Sequence, residues 1–475
     1  MKYAWLIIAV FAARFLVVAV AYPAVDGDLA WQRWFGEIIL RTGSIPQSLG
    51  AETFTAPGAP WLPHEWLFSI TAVLGRSGIG WDLFSGGVAV CAILALVLAA
   101  LRAKARGASP IAIALCTGFA GIALFESFGV RAQVVAWPLL AAFLLLLEAR
   151  GRVAWFAIAV AALWSNLHGS AVLAPAIALL VTAGAWLDEG GFTPRVRQLG
   201  AIAAGSLVAI CFNPFGWKLP AYALMLMHSP ITANILEWKV TGLEDPSFAW
   251  GAFPLLLGAV VFGIYKRSGR SAIRWEDVFV FAAFAWLVLG AARNIAIFAL
   301  VALPAVATSL TALVPAFAAA PERGRDWFGR YALPSVSMLL ALVVAVILLR
   351  GADHSNDNLA GRALASLERL PGTHRVLCSN FAWCGLLVGV PRNAVFLDGR
   401  ADPYPEKVWT DYAEIVRVRP DWRARLDAYG VDTVVAGRGG PLDQALTAAG
   451  GWRVAFSDAT YRLWLRAGRT RERTP

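Results

Sequence analysis

Two carboxylates stand one residue apart in Val25-Asp-Gly-Asp-Leu29, directly after the first long apolar stretch of the chain. With only Gly27 between them, a backbone turn brings Asp26 and Asp28 onto one point. There they could hold a divalent cation through oxygen ligands, or one could act as general base toward a hydroxyl. The plainer reading is a polar loop after an apolar helix. Farther along, His64-Glu65-Trp66 sets an imidazole beside a carboxylate, a pair suited to binding phosphate or tuning a proton transfer, or simply to opening a solvated helix.

Other polar residues stand alone at the ends of apolar stretches: Arg131 and Gln133, Asn166 and His168, Asn213, Glu237, and Arg293 with Asn294. Each has an ordinary reading as a helix cap or a side chain reaching for water. Together they matter more, because polar groups at membrane depth are costly and usually line a cavity or a site. Arg131 and Arg293 suit an anion such as a lipid phosphate, which a guanidinium meets with two parallel hydrogen bonds. Their alternative is internal pairing with Glu126, Asp26 or Glu237. Near the C-terminus, Asp398, Arg400 and Asp402 follow a strand-like run and suit either a salt-bridge network or a polar substrate. Arg14 lies inside the first apolar stretch, with no role that the sequence assigns.

The elements that must position these residues follow from composition. Of 475 residues, 59% are hydrophobic and 15% charged, against about 45–50% and about 25% in soluble domains. The apolar residues come in blocks near the ~20 residues that a membrane-crossing helix needs. About eleven spans are expected, near 4–22, 83–101, 110–128, 133–148, 153–168, 170–187, 198–212, 247–265, 276–291, 295–318 and 332–350. Every second loop is basic, with Arg102, Lys104 and Arg106, then Arg150 and Arg152, Arg195 and Arg197, Lys266 to Arg274, and Arg323 to Arg330. That alternation places those loops and the N-terminus in the cytoplasm. It also accounts for the net charge of +10 without a nucleic-acid partner. The first apolar stretch has no clear cleavage site and reads as a retained helix.

On this topology all the isolated polar residues fall at the periplasmic ends. The loops there are rich in Trp and Pro; the first, about 23–82, carries Trp31, Trp34, Trp61 and Trp66, as interfacial helices do. Residues 1–350 form the membrane domain. Residues 351–475 alternate strand-like segments (Arg375–Cys378, Ala394–Leu397, Asp432–Ala436) with helical ones (Glu406–Val418, Trp422–Tyr429), as expected of a small α/β domain on the periplasmic side. Cys378 and Cys384 are then free to form a disulfide or to remain buried thiols; Cys91, Cys116 and Cys211 read as inert apolar positions. Residues 469–475 read as a disordered tail.

The order of the motifs adds a resemblance. Asp26-Gly-Asp-Leu-Ala-Trp31, Arg41-Thr-Gly-Ser-Ile-Pro46, Phe54-Thr-Ala-Pro-Gly58 and Trp61-Leu-Pro-His-Glu-Trp66 resemble a group of bacterial membrane proteins related to GT-C glycosyltransferases. So do Arg131-Ala-Gln133, Trp164-Ser-Asn-Leu-His-Gly169, Asn213-Pro-Phe-Gly216, Arg293-Asn294 and Leu397-Asp-Gly-Arg400, so that the resemblance spans nearly the whole chain. Related members more often have Arg-Pro-Gln at 131–133, which leaves both polar residues in place. The resemblance implies a multi-helix inner-membrane enzyme taking a sugar from a polyprenyl-phosphate carrier to a glycan, lipid or protein acceptor outside the cytoplasm. Asp26 and Asp28 match the acidic motif of the first periplasmic loop, with Arg131, Arg293 and His64 toward the phosphate. Glu65, Gln133, Asn166, His168, Glu237 and Asn294 complete the expected substrate-binding set. No cofactor is required by this reading, and Mg or Mn held by Asp26 and Asp28 stays open.

Two other classes compete. A transporter or flippase needs broken helices and polar groups near the midplane, whereas these sit at one end, and no nucleotide-binding Gly-Lys-Ser/Thr motif occurs in the cytoplasmic loops. A non-catalytic envelope-assembly protein would use the C-terminal domain as its binding module.

Overall fold

The computed structural model describes residues 1–21, 27–76, 78–226, 236–267, 273–314 and 360–467. The expected span at 332–350, the 350/351 boundary, Asp26 and the tail at 469–475 lie outside these residues. Each of the other ten expected spans coincides with a helix: α1 (Lys2–Ala21), then, beyond the short α2 (Asp28–Thr42) and α3 (Trp66–Ala72), α4 (Gly78–Ala105), α5 (Pro110–Glu126), α6 (Ala132–Glu148), α7 (Phe156–Leu167), α8 (Leu173–Glu189), α9 (Pro194–Ala209) and, past α10 (Lys218–Leu226), α11 (Phe253–Arg267), α12 (Trp275–Gly290) and α13 (Ile295–Leu313). Among the described residues, the stretches Tyr3–Val20, Gly80–Ala105, Gly169–Glu189 and Ala292–Leu313 are long and apolar enough to cross a membrane; α5, α6 and α7 are shorter apolar helices. The chain is an α-helical polytopic membrane protein with a small C-terminal sheet domain.

Contacts divide the chain into two units. The first lies within Met1–Ala21, Asp82–His228 and Ile235–Ala352. Its most enclosed element is α13, where thirteen of nineteen residues are buried. Helix starts follow local chemistry: Ser109 and Thr193 accept from the backbone N–H of Ala112 and Val196, each followed by a proline that has no N–H to leave unpaired.

The basic loops of this unit carry ion pairs. Glu148, at the end of α6, accepts from Arg102 Nε at 2.9 Å and Arg274 Nη2 at 2.8 Å, and also pairs with Arg106, which reaches Asp277. Arg195 grips Glu276 with two bonds, at 2.6 and 2.9 Å. Because Arg274 also lies 3.8 Å from Glu276, one ionic cluster joins the C-terminal ends of α4 and α6 and the start of α9 to the start of α12. In low dielectric such pairs are costly to break one partner at a time. Arg14, inside α1, stacks its guanidinium 4.0 Å from the Phe125 ring centroid.

The second unit lies within Tyr22–Trp81, Ser229–Asn234 and Asp353–Pro475. Its sheet runs β2-β1-β3-β5-β4, with β1 (His374–Cys378) parallel to β2 (Asn393–Val395) and β3 (Thr433–Gly437), and β5 (Tyr461–Arg466) antiparallel to β3 and β4 (Trp452–Ser457). The helices are α14 (Gly361–Glu368), α15 (Phe381–Cys384), α16 (Glu406–Val416), α17 (Trp422–Ala428) and α18 (Pro441–Ala449). The parallel half and α16 and α17 match the expected α/β pattern; the antiparallel β4–β5 pair and α18 are additions to it. A disulfide joins Cys378 to Cys384, which resolves the alternative of free thiols.

Residues of the first loop complete this sheet. Thr53 bridges Val395 in parallel, Val395 N donates to Glu52 O at 2.8 Å, and Phe54 N donates to Val395 O at 3.3 Å. The Thr55 hydroxyl donates to Phe396 O at 2.6 Å. The outer edge of β2, which would otherwise present unpaired backbone groups, is covered by a segment more than 300 residues earlier in the chain.

Candidate functional site

Asp28 is the first residue of α2, where the N-terminal end of the helix favours a carboxylate. The Trp31 indole N–H, one turn later, donates to Asp28 Oδ1 at 2.9 Å. Two glycines make the seat. Gly27 lies so close to the Ala382 carbonyl that a methyl group there would overlap it, and a methyl group on Gly399 would overlap Asp28 Oδ1. Gly27 and Gly399, far apart in the sequence, thus both border Asp28 within this unit.

Beneath them is a charge network that solvent does not reach. Asp398 is 0% and Arg400 3% exposed. Arg400 donates to Asp398 Oδ1 from Nε at 2.9 Å and to Oδ2 from Nη2 at 2.6 Å. It also donates to Glu52 Oε1 from Nη1 at 2.7 Å. The Tyr404 hydroxyl adds a bond to Asp398 Oδ2 at 2.7 Å. Burial pushes the Asp398 carboxyl up, but Arg400 outweighs it and holds the group below the usual carboxylate range. Arg400 also lies 5.3 Å from the Trp61 ring and 5.8 Å from Trp34, so the loop tryptophans cap a buried cation. Of the two readings open for Asp398 and Arg400, the geometry supports the salt-bridge network.

Asp402 belongs to a different neighbourhood. Burial, with the Glu65 carboxylate near, pushes it well above the ordinary range for an aspartate. Glu65 accepts from the Gln32 amide and lies 3.7 Å from His64 Nε2. Gln32 of α2 thus binds Glu65 beside His64, with Asp402 near.

In the helical unit the polar residues form two groups. In the first, Arg131 is ion-paired with Glu237, the internal partner named among its alternatives. Arg293 stacks 4.4 Å from the Trp238 ring, and Gln133 Nε2 donates to the Arg293 carbonyl at 3.1 Å. Partial desolvation pushes the Glu237 carboxyl up, but Arg131 and Arg293 outweigh it and hold it below its usual range. Both ion-pair partners keep contact with solvent, Arg131 at 28% and Glu237 at 42% side-chain exposure. Asn294 is spent locally, donating to Leu287 O at 2.8 Å.

In the second group, Asn166 ties the end of α7 to the end of α9, donating to Phe212 O at 2.8 Å. Asn213 closes its own turn by accepting from Phe215 N at 2.8 Å. His168 Nδ1 lies 2.7 Å from the Ser170 hydroxyl, which accepts from the Trp164 indole at 3.0 Å. These residues shape helix ends, the reading that each had when taken alone. Among the described residues no group of three His, Cys, Asp or Glu side chains is placed to hold a metal ion.

Sequence reasoning assigned no role to Gly399 or Glu52, and read Gly27 only as a turn and Trp31 only as an interfacial residue. Trp31 and Glu52 carried a signal, an indole at i+3 from Asp28 and a lone acid between Arg41 and His64. The glycines signal only by lacking a side chain.

No family model and no curated protein matches the sequence. Solved structures do. The chain is similar to the archaeal oligosaccharyltransferase AglB from Archaeoglobus fulgidus, in complex with an inhibitory peptide and a dolichol-phosphate, at TM-score 0.58 and 12% identity, over 91% of this chain and 69% of that one. It is similar to ArnT from Cupriavidus metallidurans bound to undecaprenyl phosphate, at TM-score 0.52 and 16% identity, over 98% of both chains. The apo state of that ArnT gives TM-score 0.52 at 15% identity over 97% of both.

Proposed function

From the premise that this chain has the GT-C fold of those membrane glycosyltransferases, we propose that it moves a sugar from a polyprenyl-phosphate carrier to an acceptor at the periplasmic face of a bacterial inner membrane. The observation that carries the reading is the seating of Asp28 at a helix N-terminus, between an indole N–H and a backbone glycine, in a chain that aligns with ArnT over nearly its whole length. The disulfide and the alternation of basic loops favour a periplasmic second unit.

In the reaction, Asp28 or Asp26 takes the proton of an acceptor hydroxyl. The hydroxyl oxygen forms a bond to the anomeric carbon as the bond from that carbon to the phosphate oxygen breaks. The electron pair leaves with the carrier phosphate, whose added charge Arg131 and Arg293 offset, with His64 a further candidate toward that phosphate. Gln133, Glu65, Asn166, His168 and Asn294 keep supporting roles through the bonds described above. Asp26 and Asp28 are also the pair that would hold a divalent cation, Mg or Mn, whose chemistry would be to polarise the departing phosphate.

The test is consumption of lipid-linked sugar by purified protein, wild type against Asp26→Asn and Asp28→Asn. Loss of turnover in a folded variant identifies the essential carboxylate; variants as active as wild type remove both from the mechanism. Chelation divides the roles: turnover abolished by EDTA and restored by Mg or Mn assigns the pair to a cation, and unchanged turnover assigns it to proton transfer.

A further inference from the structure

The guanidiniums of Arg131 and Arg293 already share an anion. Arg131 is ion-paired with Glu237, and Arg293 adds its attraction to the same carboxylate while its flat face rests on Trp238, the next residue. The carbonyl of Arg293 accepts from Gln133, two residues from Arg131. The carboxylate is held by charge rather than by enclosure, since 42% of its side chain meets solvent. Partly exposed ion pairs of this kind are weak and exchangeable.

We propose that Glu237 is a resident counter-ion: it occupies the place of a phosphate oxyanion on Arg131 and gives it up when a phosphate group binds. This inference rests on the anion-binding role proposed above for Arg131 and Arg293, and it adds the residue that tunes that role. The chemistry recognised is a phosphate oxyanion, on a lipid or free.

The experiment measures equilibrium binding of a polyprenyl phosphate, and separately of inorganic phosphate, to the full chain in phosphatidylcholine nanodiscs. It compares wild type, Glu237→Gln, Arg131→Gln and the double variant. Glu237→Gln keeps the shape of the side chain and removes its charge. It is expected to tighten binding about two- to fivefold, the worth of a partly exposed ion pair, while Arg131→Gln weakens binding in either background. A gain with the polyprenyl phosphate alone identifies a lipid headgroup as the ligand, and an equal gain with inorganic phosphate identifies free phosphate. Unchanged or weaker binding in Glu237→Gln, with Arg131→Gln still weakening it, overturns the counter-ion while leaving the anion site. If neither arginine nor glutamate matters, both readings fall together.

Discussion

At the scale of single residues, the Asp28 carboxylate is defined as much by what is missing around it as by what is present. Trp31 fixes one oxygen, and the absence of a side chain at 399 leaves room for it. Gly399→Ala is therefore expected to shift the carboxylate rather than remove it. A displacement near 1 Å at a reacting group costs about a hundredfold in rate, so kcat should fall by that order with KM for the lipid donor unchanged. A fall in donor affinity instead would place Gly399 elsewhere in the mechanism. Asp402 gives a pH-dependent expectation. Its folded-state pKa lies well above the ordinary value, raised by burial and by Glu65, so the fold favours the neutral acid over the charged one. The associated stability is present below the unfolded value of about 4 and is lost as pH rises toward the folded one. Asp402→Asn, uncharged throughout, should match the wild-type melting temperature near pH 4 and exceed it progressively toward pH 8. A constant offset across that range would mean that the charge is not involved. Residue type made Asp28 legible in the sequence; Gly399 was not, because nothing in a glycine declares which neighbour needs its space.

At the scale of elements, the helices were legible and their partners less so. A run of about 20 apolar residues declares a span by itself, and ten such runs match helices. The parallel half of the sheet showed as short apolar and β-branched runs, Val376-Leu377 and Thr433-Val434-Val435. Strand β4 went unread although Trp452, Val454 and Phe456 alternate with Arg453, Ala455 and Ser457; it lies at the sheet edge with most of its residues exposed. The pairing of Thr53 with Val395 did not show, since backbone pairing between distant segments leaves no periodic trace. The network of Asp398, Arg400 and Glu52 makes this long-range junction testable. Arg400→Met leaves Asp398 buried without its cation, which costs about 3–5 kcal/mol. The second unit should then become sensitive to proteolysis at temperatures where wild type resists. Arg400→Lys should recover little of this, since one ammonium cannot meet both carboxylates in the guanidinium's fork geometry.

At the scale of the whole molecule, charge is sorted by helix end. Glu148, Asp277 and Glu276 gather the arginines of the basic loops, and the Arg131–Glu237 and Arg293–Trp238 pairs stand where other helices begin or end. The positive-inside alternation reads the first set as topology and is silent on its ion pairs, since a loop arginine looks the same whether or not a carboxylate waits beneath it. The covering of β2 by Thr53 has a further consequence, for the making of the protein. Glu52 and Arg400 are separated by 348 residues. At the roughly 5–20 residues per second of synthesis, the first loop emerges some 20–70 seconds before the strand that it must join. Throughout that interval Trp31, Trp34, Trp61 and the acid meant for Arg400 have no sheet to rest on. The nascent chain thus passes through a stage in which its first loop exists without its foundation, and assembly of that loop becomes a late act of biogenesis rather than an early one.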